Sequence, residues 1–309
     1  MRIAVIGPGA MGCLFAAGLS RAKQEVWLLD KDRERAGQLD REGIRVEGVS
    51  GSWRAKPRVT AQAEDIGCVG LALVCVKAYH TKEACQRLRP LLGEETQVLT
   101  LQNGIGNIEI IQESLGQERV VGGVTSEGAT LLEAGRIRHA GKGETVIGRL
   151  DGKISVQMRY LREALNKAGF ACRIAQDIKG QLWSKLVINA GINALSAVTR
   201  LANGRLLEQE GSRRILREAC AEAARVAKRK RIKLSYDDPL AKAEAVCQAT
   251  GANISSMLQD VLKGKRTEVD FINGVVARHG QELGIATPVN ALLLDLIKTV
   301  EAGYEMQKD

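Results

Sequence analysis

The chain has 309 residues, a formal net charge of +9, 45% hydrophobic residues and only 3% aromatic ones. That length can hold two domains with cores of their own, and no apolar run is long enough to cross a bilayer. Met1-Arg2 runs straight into an apolar segment and a glycine turn, without the features of a secretory leader, so a cytoplasmic protein is expected. The seven cysteines are scattered with no C-x-x-C pair, and most lie in apolar contexts that read as buried free thiols; the three histidines are far apart, so no metal site is expected. The positive surplus and the run Lys228-Arg229-Lys230-Arg231 raise the question of nucleic acid. That run closes a predicted helix, where cations offset the dipole, and no aromatic residues interleave it for base stacking. A solvated helix end is the better account, no nucleic-acid partner is expected, and the basic surface favours anionic small molecules.

Residues 2–6, Arg-Ile-Ala-Val-Ile, read as a short buried strand, followed by Gly7-Pro8-Gly9-Ala10-Met11-Gly12 and an apolar helix start. In this G-x-G-x-x-G pattern Gly7 permits the sharp turn, Gly9 lets the backbone approach a pyrophosphate, and Gly12 allows close helix–strand packing. The helix N-terminus offers unpaired N–H groups to phosphates. A second strand at 25–29 follows where such a unit needs one, so dinucleotide binding is expected; the bland alternative is a glycine turn serving packing alone. Next come a polar helix near 31–42, β-like pieces at 44–47 and 54–60, and a central strand at 70–76 that is apolar on both faces. A helix over 81–92, a strand at 97–101 and the turn Gln102-Asn103-Gly104 follow. Residues 120–148 are β-rich, and a helix at 154–168 with a strand at 171–175 completes the α/β domain. Lys77 and Asn103 each follow a strand at the edge where open α/β sheets bind ligands; either can equally be a solvated loop or turn residue.

Beyond residue 177 every segment has helical periodicity: 178–199, 207–230, 238–249, 253–263, 267–283 and 288–303. The expected fold is an α/β Rossmann-type N-terminal domain (1–176) plus an all-α C-terminal domain (177–309), with the active cleft between them. The first of these helices contains Lys185, Asn189 and Asn193. Steps of four advance roughly 400°, so the three side chains drift by only about 80° around the axis and share one stripe. Polar groups on an otherwise apolar helix are costly unless paired or facing a ligand, and an ammonium flanked by carboxamides suits carbonyl chemistry. Asn253 can be simply a helix N-cap, as can Thr267, and Glu268 can complement a dipole. The apolar helix at 291–297 serves a core or the face of a homodimer equally well.

Taken together these segments resemble the ketopantoate reductases (2-dehydropantoate 2-reductases) over essentially the whole chain. The likeness rests on the N-terminal glycine turn, Val76-Lys77-Ala78, Leu101-Gln102-Asn103-Gly104 and Gly141-x-Gly143-x-Thr145-x-Ile147-Gly148. It continues through the Lys185/Asn189/Asn193 helix, Asn203-Gly204, Ser255 to Asp260, and Thr267 to Gly274. The resemblance implies that Lys185 is the catalytic proton donor and that Glu268 bonds the substrate, helps set protonation and contacts the cofactor. It implies that Asn189, Asn193, Asn253 and Ser256 grip a small 2-oxo acid, and that Asn103 lies near both nicotinamide and substrate. Gly7 to Gly12, Lys77 and the turn after the second strand become cofactor contacts. One place departs from the family pattern: where the family carries an arginine for the 2′-phosphate of NADP, this chain reads Leu29-Asp30-Lys31-Asp32-Arg33. An acidic residue at the end of that strand ordinarily serves the ribose of NAD, whereas Lys31 and Arg33 suit a phosphate. The expectation is NADPH, with NADH as the alternative. The rival functions are reduction of another small 2-oxo acid and, in a different class, a non-catalytic dinucleotide-binding regulator; the retained Lys185 and Glu268 argue against the latter.

Overall fold

The structure, a computed structural model, describes residues 1–306. The chain forms two compact units, one of Met1–Gln102 with Gly106–Ile178, the other of Asn103–Ile105 with the chain from Lys179 onward.

The first unit begins with β1 (Arg2–Ile6), α1 (Ala10–Arg21), β2 (Glu25–Leu29), α2 (Arg33–Glu42), β3 (Ile44–Gly48), β4 (Trp53–Ala55) and β5 (Arg58–Thr60). It continues with β6 (Val69–Val74), α3 (Thr81–Leu88), β7 (Leu92–Thr100), α4 (Asn107–Leu115), β8 (Val120–Thr125), β9 (Gly128–Glu133), β10 (Arg136–Gly141), β11 (Thr145–Gly148), α5 (Val156–Lys167) and β12 (Cys172–Ile174). Eight strands form one sheet in the order β12-β11-β8-β7-β6-β1-β2-β5, and β8 with β11 is its antiparallel pair. The strand order reverses between β1 and β6, which places the loops after these two strands side by side at the carboxyl edge, the position where open α/β sheets take ligands.

The β-rich stretch after residue 120 does not all join this sheet. β9 and β10 form a hairpin that pairs with β3 and β4 in a separate four-stranded sheet. That sheet covers the outer side of α1. Burial on two sides explains why Gly12 to Leu19 are all buried and why the helix is apolar around its circumference. Helix α4 has no counterpart among the sequence expectations. Its short run buries only Asn107, Ile108 and Ile111, too few positions for a clear 3.6-residue period.

The second unit contains α6 (Ile178–Thr199), α7 (Glu210–Arg229), α8 (Pro239–Ala249), α9 (Ser256–Leu262), α10 (Asn273–Leu283) and α11 (Pro288–Met306). Helix α6 is its centre: Trp183, Leu186, Val187, Ala190, Ala194 and Leu195 are buried in the unit's core. A Cβ at Gly191 would lie 2.4 Å from Cys220 Sγ, so α6 and α7 touch there at backbone distance. A buried polar knot ties four helices. Glu222 on α7 accepts from the backbone N–H groups of Val289 and Asn290 (both 2.9 Å) at the start of α11 and from Asn290 Nδ2 (2.8 Å). Asn273 Nδ2 on α10 then donates to Asn290 Oδ1 (3.0 Å) and to the Ala190 carbonyl on α6 (2.9 Å). Among the described residues no helix is long and apolar enough to cross a membrane.

Candidate active site

In the first unit the glycine turn is built as its sequence demands. Gly7 has φ +100°, and a Cβ there would lie 2.8 Å from the Val76 side chain on the neighbouring loop. A Cβ at Gly12 would lie 1.9 Å from the Gly7 carbonyl oxygen, so only glycine lets α1 start this close to β1. Around Gly9 the space is open to 4 Å. Helix α1 starts at Ala10 with no side-chain cap and no acidic residue in its first turn, which leaves its N–H groups and positive dipole end to an anion. Pro8, Ala10 and Met11 complete this cradle, whose open backbone and uncapped helix fit a dinucleotide pyrophosphate.

Lys77, half-buried, precedes a short 3-10 turn at Ala78–His80 in the loop after β6. A residue not singled out from sequence holds this loop. Gln102 Nε2 donates to the Val76 carbonyl (2.8 Å) and to the Thr81 hydroxyl (2.9 Å), and Gln102 Oε1 accepts from Thr100 (2.8 Å). The Thr81 hydroxyl also lies 3.0 Å from Asn107 Oδ1. The Gln102-Asn103-Gly104 motif was legible, but the division of labour within it, with Gln102 turned inward, depends on where β6 lies.

Asp30, at the end of β2, is fully buried, and Arg35 grips it with both prongs: Nε to Oδ2 and Nη2 to Oδ1, each 2.6 Å. The Asp32 N–H adds a third bond at 3.1 Å, and Arg87 fixes the Asp30 carbonyl at 2.7 Å. The Asp30 carboxylate is thus neutralised within the unit, while Lys31 and Arg33 are exposed at the same turn. Arg35, five residues along in a charged run, carried no distinguishing signal in the sequence.

In the second unit, α6 is one continuous helix, so Lys185, Asn189 and Asn193 do lie along one stripe. Lys185 and Asn189 are half-buried and Asn193 is buried. The turn of helix under Lys185 is braced by Ser184, whose hydroxyl donates to Gly180 O (2.6 Å) and accepts from Ser235 N (2.8 Å), and whose carbonyl accepts from Tyr236 (2.7 Å). Burial pushes the Lys185 ammonium down to about 8, and the Glu268 carboxylate acts in the opposite direction to hold it up. Glu268 itself is 6% exposed.

The stretch that carries Asn253 and Ser256 is tied to the same helix through Ser255. The Ser255 hydroxyl donates to the Asn193 carbonyl (3.4 Å) and accepts from Leu258 N (3.0 Å), so Ser255, and not Asn253, is the N-cap of α9. Asn253 and Ser256 are exposed on either side of it. Asn203 N donates to Asn253 O (2.9 Å), and a Cβ at Gly204 would come within 2.9 Å of Gly251 Cα, which explains the Asn-Gly pair. Asn103 belongs with this unit. Ile105 N bonds to Phe271 O (3.0 Å), and Gly104, with φ +83°, would place a Cβ 2.3 Å from that same oxygen. Thr267 does not cap α10, which begins six residues later at Asn273. Its hydroxyl instead accepts from Val269 N (3.2 Å) in the short 3-10 turn that Glu268 opens.

The buried thiols are unsuited to nucleophilic work: burial raises Cys13, Cys172 and Cys220 each to about 12. The run Lys228 to Arg231 forms the last turn and exit of α7, as a helix end would.

A mainly parallel sheet with a glycine cradle at its switch point, and a helical unit that holds a half-buried lysine under the influence of a carboxylate, are the parts of a dinucleotide-dependent oxidoreductase. Comparison with known proteins specifies the class further. Residues 3–152 match the family model described as ketopantoate reductase PanE/ApbA, and residues 177–301 match that of its C-terminal part. The chain is 35% identical over 305 residues to a 2-dehydropantoate 2-reductase of Archaeoglobus fulgidus, covering 98% of both chains. It superposes with a TM-score of 0.91 on the crystal structure of a PanE/ApbA family ketopantoate reductase from Ralstonia eutropha JMP134, at 31% identity over 99% of this chain and 100% of that one. It also superposes on a ternary structure of D-mandelate dehydrogenase with NADH and anilino(oxo)acetate, with a TM-score of 0.92 and 27% identity over 99% of both chains. The chain belongs to the ketopantoate reductase PanE/ApbA family.

Proposed function

We propose that this protein reduces the ketone of 2-dehydropantoate to give pantoate, with NADPH as the reductant, in pantothenate and coenzyme A synthesis. The observation that carries the reading is the Lys185 ammonium, half-buried on α6, brought down to about 8 by desolvation and stabilised by Glu268. An acid with that strength is still charged at neutral pH yet gives up its proton readily. When bound, a reduced nicotinamide supplies hydride to the carbonyl carbon. As negative charge grows on the carbonyl oxygen, the Lys185 Nζ stabilises it and transfers a proton to it, giving the alcohol; the amine then regains a proton from solvent. Glu268 keeps Lys185 in its cationic form and bonds the substrate. Asn189, Asn193, Asn253 and Ser256 hold the substrate's carboxylate and hydroxyl, and Asn103 orients the reacting end. Gly7 to Gly12 with Lys77 bind the dinucleotide.

Lys185→Ala tests the assignment. Turnover should fall by roughly 10²- to 10⁴-fold, the usual worth of a general acid, while NADPH affinity stays near normal. Near-normal turnover would remove Lys185 from the mechanism.

For the coenzyme, the Arg35 clasp offsets the Asp30 charge that would otherwise repel a 2′-phosphate, and Lys31 and Arg33 stand exposed beside it. NADPH is therefore the expected partner, with a higher kcat/KM than NADH. The reverse order would mean that Asp30 leaves Arg35 to accept the ribose hydroxyl. A second substrate reading is favoured by the likeness to D-mandelate dehydrogenase: reduction of a different 2-oxo acid. A panel of 2-oxo acids, aromatic and aliphatic, ranked by kcat/KM separates the two.

A further inference from the structure

Glu268 does not stand on a regular helix. It lies in the irregular stretch between α9 and α10, followed by a single 3-10 turn at Val269–Phe271. A carboxylate in such a segment keeps one pose only if the backbone on both sides is fixed. Thr267, fully buried, gives both its N–H and its hydroxyl to one oxygen of Glu301 on α11, each at 2.7 Å. With its proton committed to Glu301, the hydroxyl accepts the Val269 N–H at 3.2 Å. Lys298, one turn earlier on α11, bonds Asp270 at 2.6 Å and lies 3.5 Å from the other Glu301 oxygen. Arg266 reaches Asp270 at 3.3 Å. The Glu301 side chain is only 13% exposed, so its bonds are shielded from competing water. The residues flanking Glu268 are thereby bolted to α11 from both directions, Thr267 through Glu301 and Asp270 through Lys298. None of these bonds satisfies Glu268's own carboxylate; they constrain where it can point.

We propose that Glu301 is a positioning residue for the reduction: by clamping Thr267 it holds the Glu268 carboxylate in the pose from which it acts on the Lys185 ammonium. This rests on the roles proposed above for Lys185 and Glu268. Lys298 lies beside Glu301 and carries the chain on to Asp270 and Arg266, and Tyr304 faces Glu301 and Asp260, whereas the charge that holds Lys185 up is that of Glu268. Loss of Glu301 therefore reaches Lys185 through displacement of Glu268.

The test compares full-length Glu301→Ala, Glu301→Gln and Thr267→Val with the parent protein and with Glu268→Gln. The readouts are kcat and KM for 2-dehydropantoate, NADPH affinity by fluorescence, melting temperature and the pH profile of kcat/KM. Glu301→Ala should lower kcat roughly ten- to hundredfold, as displaced catalytic groups do, with a much smaller loss of NADPH affinity, since Gly7 to Gly12 and Lys77 carry most of the dinucleotide contacts. Its alkaline limb should move to lower pH by about one unit, because Lys185 loses its raising neighbour. Glu301→Gln keeps an oxygen acceptor for Thr267 and should restore most of the rate and the limb. If Glu301→Ala does not fold, Thr267→Val, which deletes only the hydroxyl bonds, should show the same limb displacement in milder form. A parent-like limb in the folded variants, whether or not they melt earlier, overturns the inference and leaves Glu301 a structural staple. Should Glu268→Gln itself leave rate and limb untouched, the underlying assignment of Lys185 and Glu268 fails instead.

Discussion

Replacing Glu268 by Gln keeps the shape of the side chain and removes its charge, so it isolates what the carboxylate does to Lys185. With Lys185 near 8, about nine in ten side chains carry the proton at pH 7 and about one in ten at pH 9. Burial is the larger influence and pushes downward; Glu268 opposes it. Without that opposition the ammonium should fall by about one further unit, the lower end of what a neighbouring opposite charge contributes. About half would then be protonated at pH 7, and about one in a hundred at pH 9. The variant's kcat/KM relative to the parent should therefore drop a further fivefold or so between pH 7 and pH 9, over and above any loss of substrate contacts, which acts equally at both. The assay is initial-rate oxidation of NADPH with saturating coenzyme and limiting 2-dehydropantoate across that range. The sign is fixed: the catalytic form is the cation, so activity is present below the pKa and lost as pH rises through it. A variant-to-parent ratio that is the same at pH 7 and pH 9 would refute the coupling between Glu268 and Lys185.

Three further outcomes follow from the packing. Gly12→Ala would drive a methyl against the Gly7 carbonyl oxygen, 1.9 Å away, so NADPH affinity should fall at least tenfold and the melting temperature should drop; calorimetric titration and a thermal melt check both. Glu222→Ala strands the Val289 and Asn290 N–H groups inside the helical unit and should cost about 2–5 kcal/mol, read as an earlier unfolding midpoint in urea. Gly104→Ala meets both a positive φ and the Phe271 carbonyl, so it should lower kcat through displacement of Asn103 while leaving NADPH affinity nearly intact.

What was legible in the sequence was local. The strand–glycine–helix start depends on residues within ten positions of one another, and the spacing of Lys185, Asn189 and Asn193 needs only the helical repeat. The six helical segments were legible from their apolar spacing, clearest in α7, which buries one face at a 3.6-residue period, although α10 starts at Asn273 and not at residue 267. The capping role open to Asn253 fell to Ser255, since local capping chemistry fits several neighbouring hydroxyls and amides and the fold selects one.

What only the tertiary structure decided are the pairings between distant stretches of chain. The allocation of β9 and β10 to a second sheet could not be read from alternation, because both sheets demand the same period of two. The inward turn of Gln102 toward Val76, the neutralisation of Asp30 by Arg35, and the grip of Glu301 on Thr267 across 34 residues all involve charged or polar side chains common on any surface. Periodicity and turn chemistry are properties of a few consecutive residues and survive in any context. The partner of a buried polar group is chosen by which elements the collapsed core brings within hydrogen-bond reach, and a single chain read in order carries no direct mark of that choice.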